Sequence, residues 1–386
     1  MRKYKRNLDL KNLSQHKSLF LFGPRSTGKS TLLQDQFKQA NYYDLLDQDV
    51  YQRLIRNSKI IAEENTDNKN IIIIDEIQKM PQLLDEVHRL IQRAEKKFIL
   101  TGSSARKLKR GAANLLAGRS WQVNMHPLNS QEIEDFELVK YLNFGGLPSV
   151  YTSLKPELEL KSYVQLYLQQ EIMAEALTRN LASFSQFLDL ACLSVTEEIN
   201  YESFARDSGI SVSTIKNYFQ ILEDTLVGKL LPAYTKTKKR KAISRAKFYF
   251  FDVGVANYIA HRKNIEPKSE LFGKSFEQFI FQEILCAKDY LNKDGEIKYW
   301  RSTSQFEVDF IIDNFKFEKN VAIEVKATEQ VHAGHLNGLL ALKEEKLIKN
   351  LIIVSLDKKT RVLENGIVVL PWKIFLAHLW SGKYFE

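Results

Sequence analysis

The sequence predicts an α/β chain of two or three domains that opens with a parallel sheet. Three observations carry that expectation. An apolar run, Ser18 to Phe22, leads into Gly23, four residues, and then Gly28-Lys29-Ser30, a G-x-x-x-x-G-K-[ST] spacing without mismatch. Four isoleucines, Ile71 to Ile74, end in Asp75-Glu76, as a strand buried on both faces would deliver carboxylates at its carboxyl end. Short apolar runs then keep alternating with amphipathic helical patterns. A chain of 386 residues also exceeds what one ordinary core organises.

Composition narrows the class. Hydrophobic residues make up 44% and charged residues 27%, the balance of a globular chain. No stretch is long and apolar enough to cross a membrane, and no apolar segment follows the basic start, Met1 to Asn7. A cytoplasmic protein without a secretory leader is therefore expected. Cys192 and Cys286 fall in apolar helical patterns and read as buried thiols of a reducing compartment. The net charge is +9, and seven of those charges lie together, Lys236, Lys238, Lys239, Arg240, Lys241, Arg245 and Lys247, with no acid among them. Without them +2 would remain. The basicity is a patch, and a patch suits a polyanion such as DNA or RNA.

The opening motif predicts an ATP-binding loop of Gly23, Pro24, Arg25, Ser26, Thr27, Gly28, Lys29, Ser30 and Thr31. Its glycines let backbone N–H groups wrap a polyphosphate at the start of a helix over 29–37. Lys29 would reach the β- and γ-phosphates, and Ser30 would hold Mg²⁺. A strand over 41–46 and a helix over 49–56 follow. Asp75 would hold Mg²⁺ through water, and Glu76 would polarise the water that attacks the γ-phosphate. A helix over 82–94 leads to a strand over 97–101, ending in Thr101-Gly102-Ser103-Ser104. Ser103 is the leading candidate for sensing the γ-phosphate, with Thr101 and Ser104 beside it; capping of the next helix is the alternative. Arg119 precedes a strand over 121–125. It can meet phosphate in cis, meet it in a neighbouring subunit, or face solvent.

GPRSTGKST, IIIIDEIQKM, FILTGSSA, LAGRS, HPLNSQEI and YLNFGGLPSV, in that order, resemble a prokaryotic family of AAA-type ATPases that carries a further C-terminal region. The resemblance implies a P-loop core with an additional strand between the loop strand and the acidic strand. It supports Lys29, Ser30, Asp75, Glu76 and the 101–104 tip. It also singles out Arg25, which would reach the γ-phosphate or close an interface.

Gly145-Gly146-Leu147-Pro148 closes a first domain, 1–150. A long helix is expected over 155–180. In the middle domain, 151–262, helical patterns over 201–209 and 212–223 flank Gly209-Ile210-Ser211, the rhythm of a helix-turn-helix. Strands over 226–234 and 247–251 bracket the basic run, which completes a winged helix with that run as its wing tip. On a DNA reading Ser211, Ser213, Thr214, Lys216 and Asn217 face a groove. Lys236, Lys238, Lys239, Arg240 and Lys241 then meet phosphates. The alternative is a winged helix that packs only between domains.

In the last domain, 263–386, Glu277 lies on an amphipathic helix, Asp309 on one strand, and Glu324 and Lys326 two apart on the next. Residues two apart on a strand share a face. Glu277, Asp309 and Glu324 could bind Mg²⁺, and Lys326 would orient or activate a water. This D…E-x-K order resembles the restriction-endonuclease-like superfamily, although Val308 stands where the superfamily's proline would be. His335 lies beyond the motif and reads as a surface or core histidine, with a phosphate contact as the alternative. Together the parts predict a cytoplasmic ATPase that binds DNA through the winged helix and cuts it, or once did, through Asp309, Glu324 and Lys326. The alternative is an ATP-dependent regulatory switch whose last domain recognises nucleic acid or a protein partner. A small-molecule kinase would leave both later domains unused.

Overall fold

The computed structural model describes residues 4–66, 71–103, 118–168 and 181–386. Its first sheet contains β1 (Ser18–Phe22), β2 (Asn41–Asp44), β3 (Ile72–Asp75), β4 (Phe98–Gly102) and β5 (Ser120–Asn124), all parallel, in the order β2-β3-β4-β1-β5. The expected extra strand is β4, between the loop strand and the acidic strand. Alternation explains why these strands read as unbroken apolar runs. Phe20, Phe22, Ile72, Ile74, Phe98 and Leu100 face one core, and Leu19, Leu21, Ile73 and Ile99 face another.

The middle region contains helices Leu181–Leu193, Tyr201–Ser208 and Val212–Asp224, then β6 (Gly228–Leu231) paired antiparallel with β7 (Lys247–Phe250). Gly209 lies between the last two helices with a left-handed φ of 67°, and Ser211 caps the second by accepting from Thr214 N. The long helix expected over 155–180 differs. A regular helix covers Pro156–Ser162 and a wider π-type turn covers Tyr163–Leu168; the rest of that expectation lies outside the described residues.

The last region is a mixed six-stranded sheet, β12-β13-β11-β10-β9-β8. Its strands are β8 (Glu296–Arg301), β9 (Glu307–Asp313), β10 (Val321–Lys326), β11 (Asn350–Ser355), β12 (Arg361–Val362) and β13 (Val368–Pro371). A 21-residue helix, Glu270–Tyr290, crosses it. Packing crosses the boundaries expected from sequence: Leu128, Ile133, Tyr141 and Tyr151 share a core with Phe276, Phe279, Ile323 and Leu370. Asp252, fully buried, fastens that seam by accepting from Gly146 N at 2.8 Å and Val255 N at 3.0 Å. No described helix is long and apolar enough to cross a membrane.

The basic run is not a free wing tip. Tyr234 N donates to Tyr299 O and Ile243 N to Arg301 O, which lays 232–246 along β8. The Glu345 carboxylate accepts from the backbone N–H groups of Lys238, Lys239 and Arg240 at 2.8–2.9 Å. Lys236 pairs with Asp313 at 2.9 Å, Arg240 with Glu344 at 2.7 Å, and Lys247 is buried. The expectation of seven uncompensated charges is thus corrected: acids distant in sequence take up three of them. Lys238, Lys239, Lys241 and Arg245 remain exposed.

Candidate functional site

The amino-terminal centre forms where β1, β3 and β4 end together. Gly23 is packed so closely that a Cβ there would lie 2.4 Å from Met125 O. Gly28, with φ 95°, turns the chain into the helix Lys29–Gln36. The Lys29 ammonium donates to Gly23 O at 2.7 Å and Pro24 O at 3.1 Å, curling the loop around itself. Asp75, 3% exposed, is surrounded by hydroxyl donors. Ser30 Oγ donates to its Oδ2 at 2.7 Å, Tyr42 donates to the same oxygen, and Thr101 donates to Oδ1. Burial, then the bond to Asp75, pushes the Tyr42 phenol up, so it stays a donor at neutral pH.

Glu76 adopts a left-handed backbone, φ 61° and ψ 44°, and its N–H donates to Thr101 Oγ1 at 3.1 Å. Gln78 donates to Glu76 Oε2 and to Ser103 Oγ at 3.2 Å, so one amide links the catalytic candidate to the sensor candidate. Sequence reasoning missed Tyr42 and Gln78. It also missed Arg6, which donates to Thr27 O and His126 O at 2.6 Å each and pairs with buried Glu132 at 2.9 Å. Only the basic character of the N-terminus pointed to Arg6.

Arg119 requires a correction. It immediately precedes β5, and Ser120 pairs with Ser18, the first residue of β1. The loop follows the last residue of β1, so about 16 Å of strand separates the two. A phosphate contact in cis is excluded by this geometry. Ser104 lies outside the described residues.

The carboxyl-terminal centre gathers four acids. The sheet register carries Glu324 of β10 alongside Asp309 of β9, and Val325 N donates to Asp309 Oδ2 at 2.7 Å. Glu277 comes from the long helix and Glu307 from the start of β9. Two ammonium groups lie among these acids. Lys326 pairs with Glu324 at 2.6 Å, and Lys247 approaches Glu277 at 3.3 Å and Asp309 at 3.8 Å while pairing with Glu307. Burial, then Asp309, pushes the Glu324 carboxyl up to about 8, and burial pushes Glu277 up to about 7 against the pull of Lys247. Burial alone would depress the Lys247 ammonium, but Glu277, Asp309 and Glu307 outweigh it and hold the group charged.

The expectation that Glu277, Asp309 and Glu324 directly hold Mg²⁺ is not met in this arrangement. Among the described residues no group of three or more His, Cys, Asp or Glu side chains could hold a metal ion. The reason is physical: Lys247 stands among the acids. His335 instead accepts from His332 N at 3.4 Å as part of a local cap.

Three regions match family models. Residues 15–134 match an AAA domain. The amino-terminal unit is an AAA-type, ATPase-like domain. Behind the AAA domain, 135–266 and 272–375 match two domains of unknown function. An uncharacterized protein of Methanocaldococcus jannaschii is 26% identical over 350 residues, 80% of this chain and 74% of its own. One of Mycobacterium tuberculosis is 23% identical over 362 residues, 92% of this chain and 79% of its own. Among solved structures, the chain overlaps a Pyrococcus horikoshii signal transduction ATPase with numerous domains at 16% identity and a TM-score of 0.24. That overlap covers 75% of this chain and 50% of the other, so the chain spans half its length. The Aeropyrum pernix ORC1 protein in complex with DNA overlaps at 9% identity and a TM-score of 0.28, covering 64% and 86%.

Proposed function

We propose that the protein binds and hydrolyses ATP, and that the nucleotide state governs how the later units sit on one another. The observation that supports this reading is the network joining Ser30, Asp75, Thr101, Glu76 and Ser103 at the ends of three parallel strands. The loop would bind the polyphosphate, and Lys29 would exchange its carbonyl contacts for phosphate oxygens. Ser30 and Asp75, already within hydrogen-bond reach of each other, fit a shared Mg²⁺, which supplies neutralisation of phosphate charge when bound. Glu76, aimed by its left-handed backbone and by Gln78, would orient the attacking water. Phosphate release from ATP measured on the whole chain tests the reading. Lys29→Ala and Glu76→Gln should each lower the rate about 100-fold or more. Retention of the full rate in both would show that the centre has been misread.

A second reading concerns the later units. Two helices, Tyr201–Ser208 and Val212–Asp224, followed by the β6–β7 hairpin support a winged helix. The sheet with Asp309, Glu324 and Lys326 supports a restriction-endonuclease-like fold. Ser211, Ser213, Lys216 and Asn217 are exposed, and so are Lys238, Lys239, Lys241 and Arg245 of the linker. These features favour DNA as the partner. Neutralising Lys238, Lys239 and Lys241 together should weaken a mobility shift and reduce the log–log salt slope by about 2–3. An unchanged slope would reject that face. Cleavage belongs to this reading only if the C-terminal centre takes a different arrangement from the one described.

A further inference from the structure

The C-terminal centre already contains a cation, and that cation belongs to the chain itself. Lys247 opens β7, whose side chains alternate between two cores. Phe248 and Phe250 point into the middle core, while Lys247 and Tyr249 point to the C-terminal sheet. The ammonium, on a residue only 2% exposed, lies between the long helix and β9. Tyr249 donates to Glu277 Oε1 at 2.6 Å, the same oxygen that faces Lys247. Opposite, Glu324 gives Oε1 to Lys326, but its buried Oε2 takes no hydrogen bond from the described residues. A carboxylate oxygen aimed into a buried acidic cluster without a donor marks a place where a cation with more coordination sites would fit.

We propose that Lys247 is a displaceable counter-ion: the acidic centre is a divalent-cation site that the ammonium fills in this arrangement, and a metal ion enters only when β7 leaves the C-terminal sheet. This rests on the second reading above, in which the last unit has a restriction-endonuclease-like fold. An ammonium and a divalent ion a few ångströms apart repel each other strongly in a buried setting, so the two occupants exclude one another. The hairpin also borders open space. A cavity of about 460 Å³ separates it from the nucleotide-binding loop, lined by Pro24, Gly228, Phe250, Phe251 and Gln282. A shift of the loop and a shift of the hairpin therefore share one space.

Manganese titration of the whole chain, read by the electron paramagnetic resonance of free Mn²⁺, tests the inference. Each variant is compared with its Asp309→Asn counterpart, so that only the C-terminal centre is scored. Wild type and Lys247→Arg should bind weakly. Lys247→Met should bind at least tenfold more tightly, and adding Asp309→Asn should abolish the gain. The double variant K247M/E307Q loses one charge of each sign, retains Glu277, Asp309 and Glu324, and should show the same gain if the single variant folds poorly. Folded variants that bind Mn²⁺ no more tightly than wild type overturn the inference. Hydrogen exchange on wild type gives an independent check: Mn²⁺ at the centre should expose the amides of β7, and binding there with β7 still protected also overturns it. Plasmid incubated with Lys247→Met and Mn²⁺ separates the two readings. Metal gained with plasmid intact keeps the counter-ion and ends the cleavage reading. No metal gained ends the counter-ion, whatever happens to the plasmid.

Discussion

The two acidic centres satisfy their carboxylates in different ways. In the AAA domain Asp75 receives hydroxyl hydrogens from Ser30, Tyr42 and Thr101, and Glu76 receives amide hydrogens from Gln78. These donors are neutral and fix geometry without adding positive charge. In the last unit Glu277, Glu307, Asp309 and Glu324 meet Lys247, Lys326 and, at Glu307, Arg301 at 3.3 Å. Cationic partners cancel the charge as well as fixing the geometry. Neutral donors hold Asp75 in the first centre, whereas cations meet the acids of the second.

This contrast can be broken by changing one partner at a time. The largest effect is expected at Lys247. Removing one member of a buried ion cluster leaves uncompensated charge, so Lys247→Met without metal should lower unfolding stability by about 3–5 kcal/mol in a urea titration. The matched change in the other centre, Asp75→Asn, turns an amide NH₂ toward hydroxyls that can rotate to accept it, and should cost about 1 kcal/mol. Equal losses would mean that the two centres do not differ as described. Asp252 is an intermediate case, a buried acid satisfied by backbone N–H groups and pushed up to about 6 by burial against the pull of those bonds. Asp252→Asn turns an amide NH₂ toward N–H donors, and a loss of about 1–3 kcal/mol is expected by the same titration.

Glu283 gives a test of sign. It is buried, accepts from Ser130 N at 2.7 Å and Trp380 Nε1 at 2.8 Å, and burial pushes it up to about 7 from the usual carboxylate range. Its folded value lies above its unfolded value. The folded chain therefore holds the proton more tightly, and the stability linked to that proton is lost as pH rises from about 4.5 through 7. Melting temperature should fall across that interval for wild type, and Glu283→Gln should flatten the fall. A slope unchanged by the substitution would assign the pH dependence to other groups.

The AAA-type centre was legible because its determinants are contiguous. Gly23 to Ser30 fixes a loop, and Ile71 to Glu76 fixes a buried strand with acids at its end, before any tertiary contact is known. The partners that aim those groups were not legible. Tyr42 reaches Asp75 because β2 pairs with β3 in the register Asp44↔Asp75, which no local pattern specifies. Three settings were left open for Arg119, among them a contact in cis, because a sequence does not show which end of a sheet a residue occupies. Lys247 was counted with the basic run although the strand expected over 247–251 begins on it, because a charge count does not show which face of the strand it takes. Its own pattern, Lys-Phe-Tyr-Phe, carried the missing signal: one face of the strand is polar-tipped and the other aromatic. Glu345, which binds three backbone N–H groups of the run, is about 100 residues away and left no mark on the sequence around it.

The two faces of β7 bear on folding fidelity. Sliding it one residue along β6 would turn Phe248 and Phe250 toward four carboxylates and Lys247 toward an aromatic core. Each face would then meet the chemistry least able to accept it. A hairpin of four-residue strands has few hydrogen bonds with which to fix its own alignment. Here the alignment is verified by its surroundings, so this short strand acts as a key whose wrong insertions are rejected from both sides.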